Sequence, residues 1–220
     1  MALEMHTLQD RDAWLEHRKN YIGGSEASCV LGLNPYKTNV ELWEEKTGQM
    51  EAQDLSFKPY VQYGQDAEKH LRALFALDFP EYMVGYKENN SFVNDAFPFA
   101  AASLDGWLTE KETGRRGILE IKTTNILQSM QREKWRDRIP DNYYVQVLFY
   151  LGVTGWDFAV LKAQLKTEYN GEIRLTTRHY TINREDAGIE DDIALIMQKC
   201  AEFWEYVKAG RRPPLVLPSI

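Results

Sequence analysis

The chain predicts a mixed α/β fold of the α+β kind, with a central mixed β-sheet flanked by helices. Three observations carry this prediction. Segments of helical period fill much of the first 80 residues and return after Pro140 and after Asn183. Short apolar or alternating segments lie between them, from Tyr82 to Thr123 and from Trp156 to Ile182. The 220 residues, 44% hydrophobic and 27% charged, suffice for one domain with a core of normal size. The predicted division is a single domain over 1–220: a helical part to about residue 80, a sheet core over about 81–182, a helix over 183–210 and a tail over 211–220.

Taken in order, Asp10 is placed to cap a first helix running to about Lys19, with Trp14 and Leu15 on its buried side. Tyr21-Ile22-Gly23-Gly24-Ser25-Glu26-Ala27 then reads as a tight glycine loop entering a helix, with Ser25 as its N-cap. Free N–H groups and a hydroxyl there, with cationic Arg18 just upstream, fit a phosphate-sized anion; the alternative is that Ser25 only caps the helix. Gly32-Leu33-Asn34-Pro35-Tyr36 is a turn, and Thr38 or Asn39 caps a helix that carries Leu42 and Trp43 and stops at Gly48. Gln49–Pro59 reads as a polar linker. Tyr60–Phe79 returns to helical period, with Ala67, Leu71, Leu74 and Phe75 on one face. Glu68 lies beside that stripe. It either points to a site or, as the residues alone favour, pairs with Arg72 at i+4 on the surface.

Tyr82–Val93 reads as a strand with a break at Lys87–Asn90, followed by the short apolar Phe97–Leu104. Gly106–Thr109 and Gly117–Thr123 are strands joined by a polar turn. Asn125–Arg138 reads as a basic loop with a short helix, and Pro140-Asp141 opens a helix that ends at Gly155. Trp156–Leu165 and Glu172–Ile182 form a hairpin through Tyr169-Asn170-Gly171. Asn183 or Arg184 begins the last helix, closed by Gly210 before a Pro-rich tail.

No apolar run approaches the roughly 20 residues of a membrane span, and the N-terminus lacks a basic stretch followed by an apolar one. Both favour the cytoplasm and no membrane partner. Cys29 and Cys200 lie in helical patterns and read as core thiols rather than a disulfide. The net charge of −7 argues against a surface that coats nucleic acid. The segment Lys111–Arg138, however, holds eight Lys or Arg against four Asp or Glu, which suits a basic lining within an acidic body.

The chemistry concentrates in Ala100–Thr124. Glu120 and Lys122 are two apart, so on a strand they leave the same face, and the turn at Lys111–Gly117 folds Asp105 back beside them. Two carboxylates and an ammonium at the end of a hairpin suit a divalent cation and phosphodiester hydrolysis. A cross-strand ion pair on an exposed hairpin is the alternative. The apolar setting favours the metal site: Ile118, Leu119 and Ile121 surround Glu120, and Leu104 and Trp107 flank Asp105.

Several stretches together resemble the phage lambda exonuclease family, the YqaJ-like viral recombinases of the PD-(D/E)XK nuclease superfamily. They are Arg18 with Tyr21–Ala27, Leu31–Lys37, Leu42–Gly48, Gly64–Glu68, Ser103–Gly106, Leu119–Thr123 and Tyr144–Val147 with Tyr150-Leu151. The resemblance implies a restriction-endonuclease-like core and 5′→3′ digestion of double-stranded DNA ends, in recombination with a single-strand annealing protein. It implies Mg²⁺, with Mn²⁺ as the alternative, as two ions held by Glu68, Asp105, Glu120 and the Ile121 backbone carbonyl. Lys122 would orient or activate water, and Gln146 would sit near the metal or the scissile phosphate. Arg18 and Ser25 would hold the 5′-terminal phosphate, and the assembly would be a ring trimer. A structure- or sequence-specific endonuclease of the same fold, or an inactive DNA-end-binding module, are the competing readings.

Overall fold

The computed structural model describes residues 2–126 and 133–217, so part of the predicted basic loop after Asn125 lies outside the described residues. A five-stranded mixed sheet forms the centre. Its order is β3 (Tyr82–Gly85), β6 (Gly106–Glu110), β7 (Arg116–Ile126), β8 (Phe158–Tyr169) and β9 (Glu172–Asn183). β6 and β7 are an antiparallel hairpin, with Gly106 opposite Leu119. β7 and β8 run parallel, from Gly117 opposite Phe158 to Ile126 opposite Thr167. Parallel neighbours need a crossover, and the helix α5 (Asp141–Thr154) supplies it. β8 and β9 are joined by Asn170-Gly171, whose φ angles of 51° and 79° make the left-handed two-residue turn expected of that pair.

Alternation along β7 divides the core. Leu119 and Ile121 pack with Leu71 and Phe75 of α4 (Pro59–Asp78). Ile118 faces the opposite way, into the larger cluster with Leu148 and Leu151 of α5. The central sheet therefore lies between α4 and α5, and its two faces are apolar for different partners.

A second, smaller sheet was not legible in the sequence. Its order is β1 (Leu3–Thr7), β4 (Asn90–Asn94), β5 (Ala100–Ala102) and β2 (Ile22–Gly23). The predicted break at Lys87–Asn90 is thus the point where the chain leaves one sheet for the other. The N-terminal part is not purely helical, because β1 and β2 pair with β4 and β5 of the sheet core.

Three local expectations are corrected, and the predicted tail gains an anchor. The N-cap of α2 (Gly24–Val30) is Gly23, not Ser25; the Glu26 carboxylate accepts from the Gly23 N–H at 2.8 Å and closes the turn first. The last helix, α6 (Ile189–Lys208), starts after Gly188 rather than at Asn183 or Arg184, since β9 runs to Asn183 to complete its pairing with β8. Leu15 of α1 (Arg11–Arg18) and Leu74 of α4 are exposed, and α4 buries Leu71 and Phe75 four residues apart. The tail is strapped down: buried Asn39, the first residue of α3 (Asn39–Lys46), donates to the Pro214 carbonyl and accepts from the Val216 N–H.

Asp10 caps α1 and Thr38 caps α3 as expected, and Cys29 and Cys200 are buried free thiols. Among the described residues no helix is long and apolar enough to cross a membrane.

The close approach of Gly117 to Phe158 sets the β7–β8 register that carries Glu120. A Cβ at Gly117 would lie 2.4 Å from the Phe158 ring, which is 1% exposed. Gly117→Ala should cost about 1–3 kcal/mol by overpacking. Thermal unfolding checks this, and an unchanged midpoint would contradict it.

Candidate active site

The segment before β6 holds Asp105 in place from both sides. The buried Asn90 side chain donates to the Leu104 carbonyl and accepts from the Leu104 N–H, each at 2.9 Å. The Asp105 Oδ2 then accepts from the Ile121 N–H at 2.8 Å. Pairing of β6 with β7 begins at Gly106 and Leu119, so Ile121 has no partner residue on β6 and Asp105 takes the place of one. On a strand the N–H and C=O of one residue leave by the same edge, so the Ile121 carbonyl is directed to that side too.

Glu120 leaves β7 on the α5 face and is 1% exposed. Lys122 Nζ lies 2.6 Å from its Oε1, and Gln146 Nε2 of α5 donates to the same oxygen at 2.6 Å. Gln146 also donates to the Tyr150 hydroxyl at 3.1 Å, one helical turn on. Two donors thus converge on Oε1, while Oε2 is buried and has no hydrogen-bond partner among the described residues. An orphaned carboxylate oxygen is costly in a protein interior.

Glu68 is half-buried on α4 rather than a surface residue. Arg72 does not simply pair with it at i+4: its Nη1 donates to the Asp105 carbonyl. Burial, then the Asp105 charge, push the Glu68 carboxyl up from 4.5 to about 7. Burial, then Asp105, push Glu120 up from 4.5 to about 8. Burial raises Asp105 as well, against Lys122, the Ile121 N–H and Arg72. For Lys122 burial disfavours the ammonium, but the Glu120 and Asp105 carboxylates outweigh it and hold the group above the ordinary lysine range.

The donor set fits a hard divalent cation in its chemistry: buried carboxylates, of which Asp105 raises the pKa of Glu68 and Glu120, a carboxylate oxygen unpartnered among the described residues, and a backbone carbonyl. The side chains are not drawn together as a closed cage. Among the described residues no three His, Cys, Asp or Glu side chains converge on one ion-sized point. Lys122 and Gln146 occupy the Oε1 of Glu120, so Oε2 is the oxygen left to ligate.

A second polar cluster lies where α1 and α2 meet. Arg18 stacks over Trp14 at 4.7 Å and stands 3.8 Å from the Glu26 carboxylate. Lys46 of α3 pairs with Glu26 at 2.9 Å and donates to the Arg18 carbonyl. Burial opposes ionisation of Glu26, but Lys46, Arg18 and the Gly23 N–H outweigh it. Two cations share one carboxylate, and Ser25 is exposed at the same helix end. A Cβ on Gly23 would come within 3.2 Å of Arg18 Nη2.

The two clusters are joined by Tyr150, a residue whose role the sequence did not single out. A Cβ on Gly24 would lie 2.3 Å from the Tyr150 ring, so only glycine lets α2 seat there. The Tyr150 hydroxyl meets Gln146, and Gln146 meets Glu120. Asn90, which pins Leu104, was also missed. Its signal in the sequence is no more than an Asn in an apolar strand.

Residues 13–157 match the family profile of the YqaJ-like viral recombinase domain. Over 219 residues the chain is 33% identical to the uncharacterised protein YqaJ of Bacillus subtilis (strain 168), covering 97% of this chain and 62% of that protein. The chain thus spans about two-thirds or less of the length of the curated relative. The fold is similar to LHK-Exo, solved in complex with dAMP, with TM-score 0.65, 18% identity, and 90% and 95% of the two chains covered. LHK-Exo is an alkaline exonuclease from Laribacter hongkongensis. A phage-related exonuclease from Haemophilus somnus 129PT is similar with TM-score 0.57 and 14% identity, over 86% and 96% of the two chains.

Because Glu68 and Glu120 hold protons more tightly folded than unfolded, the metal-free folded chain binds more protons between their ordinary and raised pKa values. Their contribution to stability is complete below the unfolded value and is lost as pH rises through the folded ones. In the presence of a chelator, the melting midpoint should fall between about pH 5 and pH 8, and Glu120→Gln should flatten that fall. A variant with the same pH slope as the parent contradicts the assignment.

Proposed function

The chain belongs to the YqaJ-like viral recombinase domain family, and on that premise we propose that it is a metal-dependent 5′→3′ exonuclease acting on double-stranded DNA ends. The observation that carries this reading is the buried, unpartnered Oε2 of Glu120, set beside Asp105 at the end of β6 and β7. Glu68, Asp105, Glu120 and the Ile121 carbonyl would hold Mg²⁺, or Mn²⁺ in its place, as two ions. Bound there, the metal would neutralise the scissile phosphate and lower the pKa of a bound water.

The protein groups have separable tasks. Asp105 is fixed by the Ile121 N–H through one oxygen and presents the other. Lys122, whose proton affinity the metal-free carboxylates raise, would orient or activate water and stabilise developing negative charge. Gln146 holds Glu120 in one rotamer and leaves Oε2 directed away from it. Arg18 and exposed Ser25 supply a cation and a hydroxyl for a 5′-terminal phosphate. Tyr150 sets the spacing of that end relative to Glu120.

The structural relatives support the reading: LHK-Exo is an alkaline exonuclease and was solved in complex with dAMP, the kind of product that end digestion releases. The family supports a role in recombination with a single-strand annealing protein, within a bacterial cell. A ring trimer around the duplex would let an acidic chain stay on DNA, since only the channel must be basic.

Linear duplexes labelled at either end, with and without a 5′ phosphate, test polarity and the terminal pocket together. Digestion should start at phosphorylated 5′ ends and leave closed circular DNA intact; rapid cutting of circles would point to an endonuclease. Glu120→Gln and Asp105→Asn should each lose about 10³-fold or more in rate, an electrostatic loss of about 4 kcal/mol. Arg18→Ala and Ser25→Ala should lose about tenfold or more on phosphorylated ends and little on unphosphorylated ones. Equal rates on both would remove these two residues from the pocket.

A further inference from the structure

Arg72 has no task in the reaction described above, yet two contacts hold its guanidinium and its stem is packed as well. Its Nη1 donates to the backbone carbonyl of Asp105, 33 residues away. Its Cζ stands 3.5 Å from the centroid of the Tyr86 ring, a stacking distance. Its stem crosses Gly106, where an added Cβ would lie 3.4 Å from Arg72 Cδ. One side chain therefore ties together α4, the residue after β3 and the connection from β5 to β6. It does so at the residue that carries a candidate ligand. Glu68 lies one helical turn before Arg72 on the same helix.

We infer that Arg72 is a positioning residue of this site. Its guanidinium locks the Asp105 main chain to α4 and so sets the separation of the Asp105 and Glu68 carboxylates. A cation shared by those two carboxylates depends on that separation. Asp105 comes from the strand connection and Glu68 from the helix, and no continuous backbone element joins them. The Ile121 N–H orients the Asp105 side chain relative to β7 but not relative to α4. α4 is itself packed on β7 through Leu71 and Phe75, and Arg72 adds the direct tie from α4 to the Asp105 main chain. A planar, stacked guanidinium with a rigid fork can make both contacts at once, and a lysine ammonium cannot.

The kinetic consequence rests on the nuclease reading, whereas the binding consequence rests on the geometry alone. Arg72→Ala, Arg72→Lys and Tyr86→Leu are compared with the parent chain for Mn²⁺ binding by calorimetry, and for kcat and KM on linear duplex ends. In Arg72→Ala, Mn²⁺ should bind about tenfold more weakly and kcat should fall by about 10²-fold, with KM for ends within about threefold. Arg72→Lys should recover little of this. Added methylguanidinium should restore part of both losses in Arg72→Ala, a response that a merely structural residue would not give. Tyr86→Leu, which keeps Arg72 and Asp105, should show the same pattern in smaller degree.

Parental Mn²⁺ affinity in folded Arg72→Ala, or full recovery by Arg72→Lys, overturns the inference. Should Arg72→Ala unfold at the assay temperature, parental affinity in both Arg72→Lys and Tyr86→Leu overturns it. A parent chain that binds Mn²⁺ but leaves duplex DNA intact removes the nuclease reading, and the binding comparison still decides the role of Arg72.

Discussion

The buried carboxylate of Glu120 is the constraint around which the structure is arranged. A charge with 1% exposure costs several kcal/mol unless it is paired and hydrogen-bonded. The chain meets that cost on one oxygen only, with Lys122 from the same strand and Gln146 from the facing helix. Both partners depend on the fold. Lys122 is present because β7 stays extended for two more residues, and Gln146 is present because the β7–β8 crossover runs through α5. The other oxygen has no partner among the described residues, and the neighbouring carboxylates raise its proton affinity further. Such an arrangement is unfavourable as a structural device and suited to a cation.

The sheet acts as a divider. Leu119 and Ile121 seat α4, whereas Ile118 lies with α5 in the larger cluster. Candidate ligands come from both sides of this divide: Glu68 from α4, Glu120 beneath α5, and Asp105 from the strand connection between them. The smaller sheet supports that connection. Asn90 of β4 satisfies both backbone groups of Leu104, so the residue before Asp105 has no freedom to drift. The same sheet brings β2, and with it the α2 end, alongside β5. Tyr150 then meets Gly24 on one side and Gln146 on the other. The Arg18–Glu26 cluster and the carboxylate cluster are thereby held at a fixed spacing by ordinary core packing.

Much of this was legible before any coordinates. The hairpin at Asn170-Gly171 followed from turn chemistry, the caps at Asp10 and Thr38 from hydrogen-bonding side chains, and the facing of Glu120 with Lys122 from the period of two. Other features were not. The short strands β1, β2 and β5 have too few residues for a pattern, and they exist because their backbone groups find partners elsewhere in the chain. Ser25 follows two glycines, but α2 already begins at Gly24, and the Glu26 carboxylate accepts from the Gly23 N–H, which makes Gly23 the cap position and puts Ser25 within the first turn. Asn183 looked like a helix start because nothing local shows that β8 needs a partner along its whole length.

What the sequence determined by itself is local: which residues are extended, which are helical, and that Asp105, Glu120 and Lys122 share one end of a hairpin. These follow from period, capping and turn preference, which act over a few residues. The tertiary structure decided the rest. It moved Glu68 from a surface pair to a half-buried place near Asp105, turned Arg72 onto the Asp105 carbonyl, and set Lys122 beside carboxylates that raise its proton affinity. Proton affinity and desolvation depend on every charge and apolar group nearby, whatever its position in the chain. No local pattern encodes that neighbourhood, because it forms only when α4 and α5 close on the two faces of the sheet.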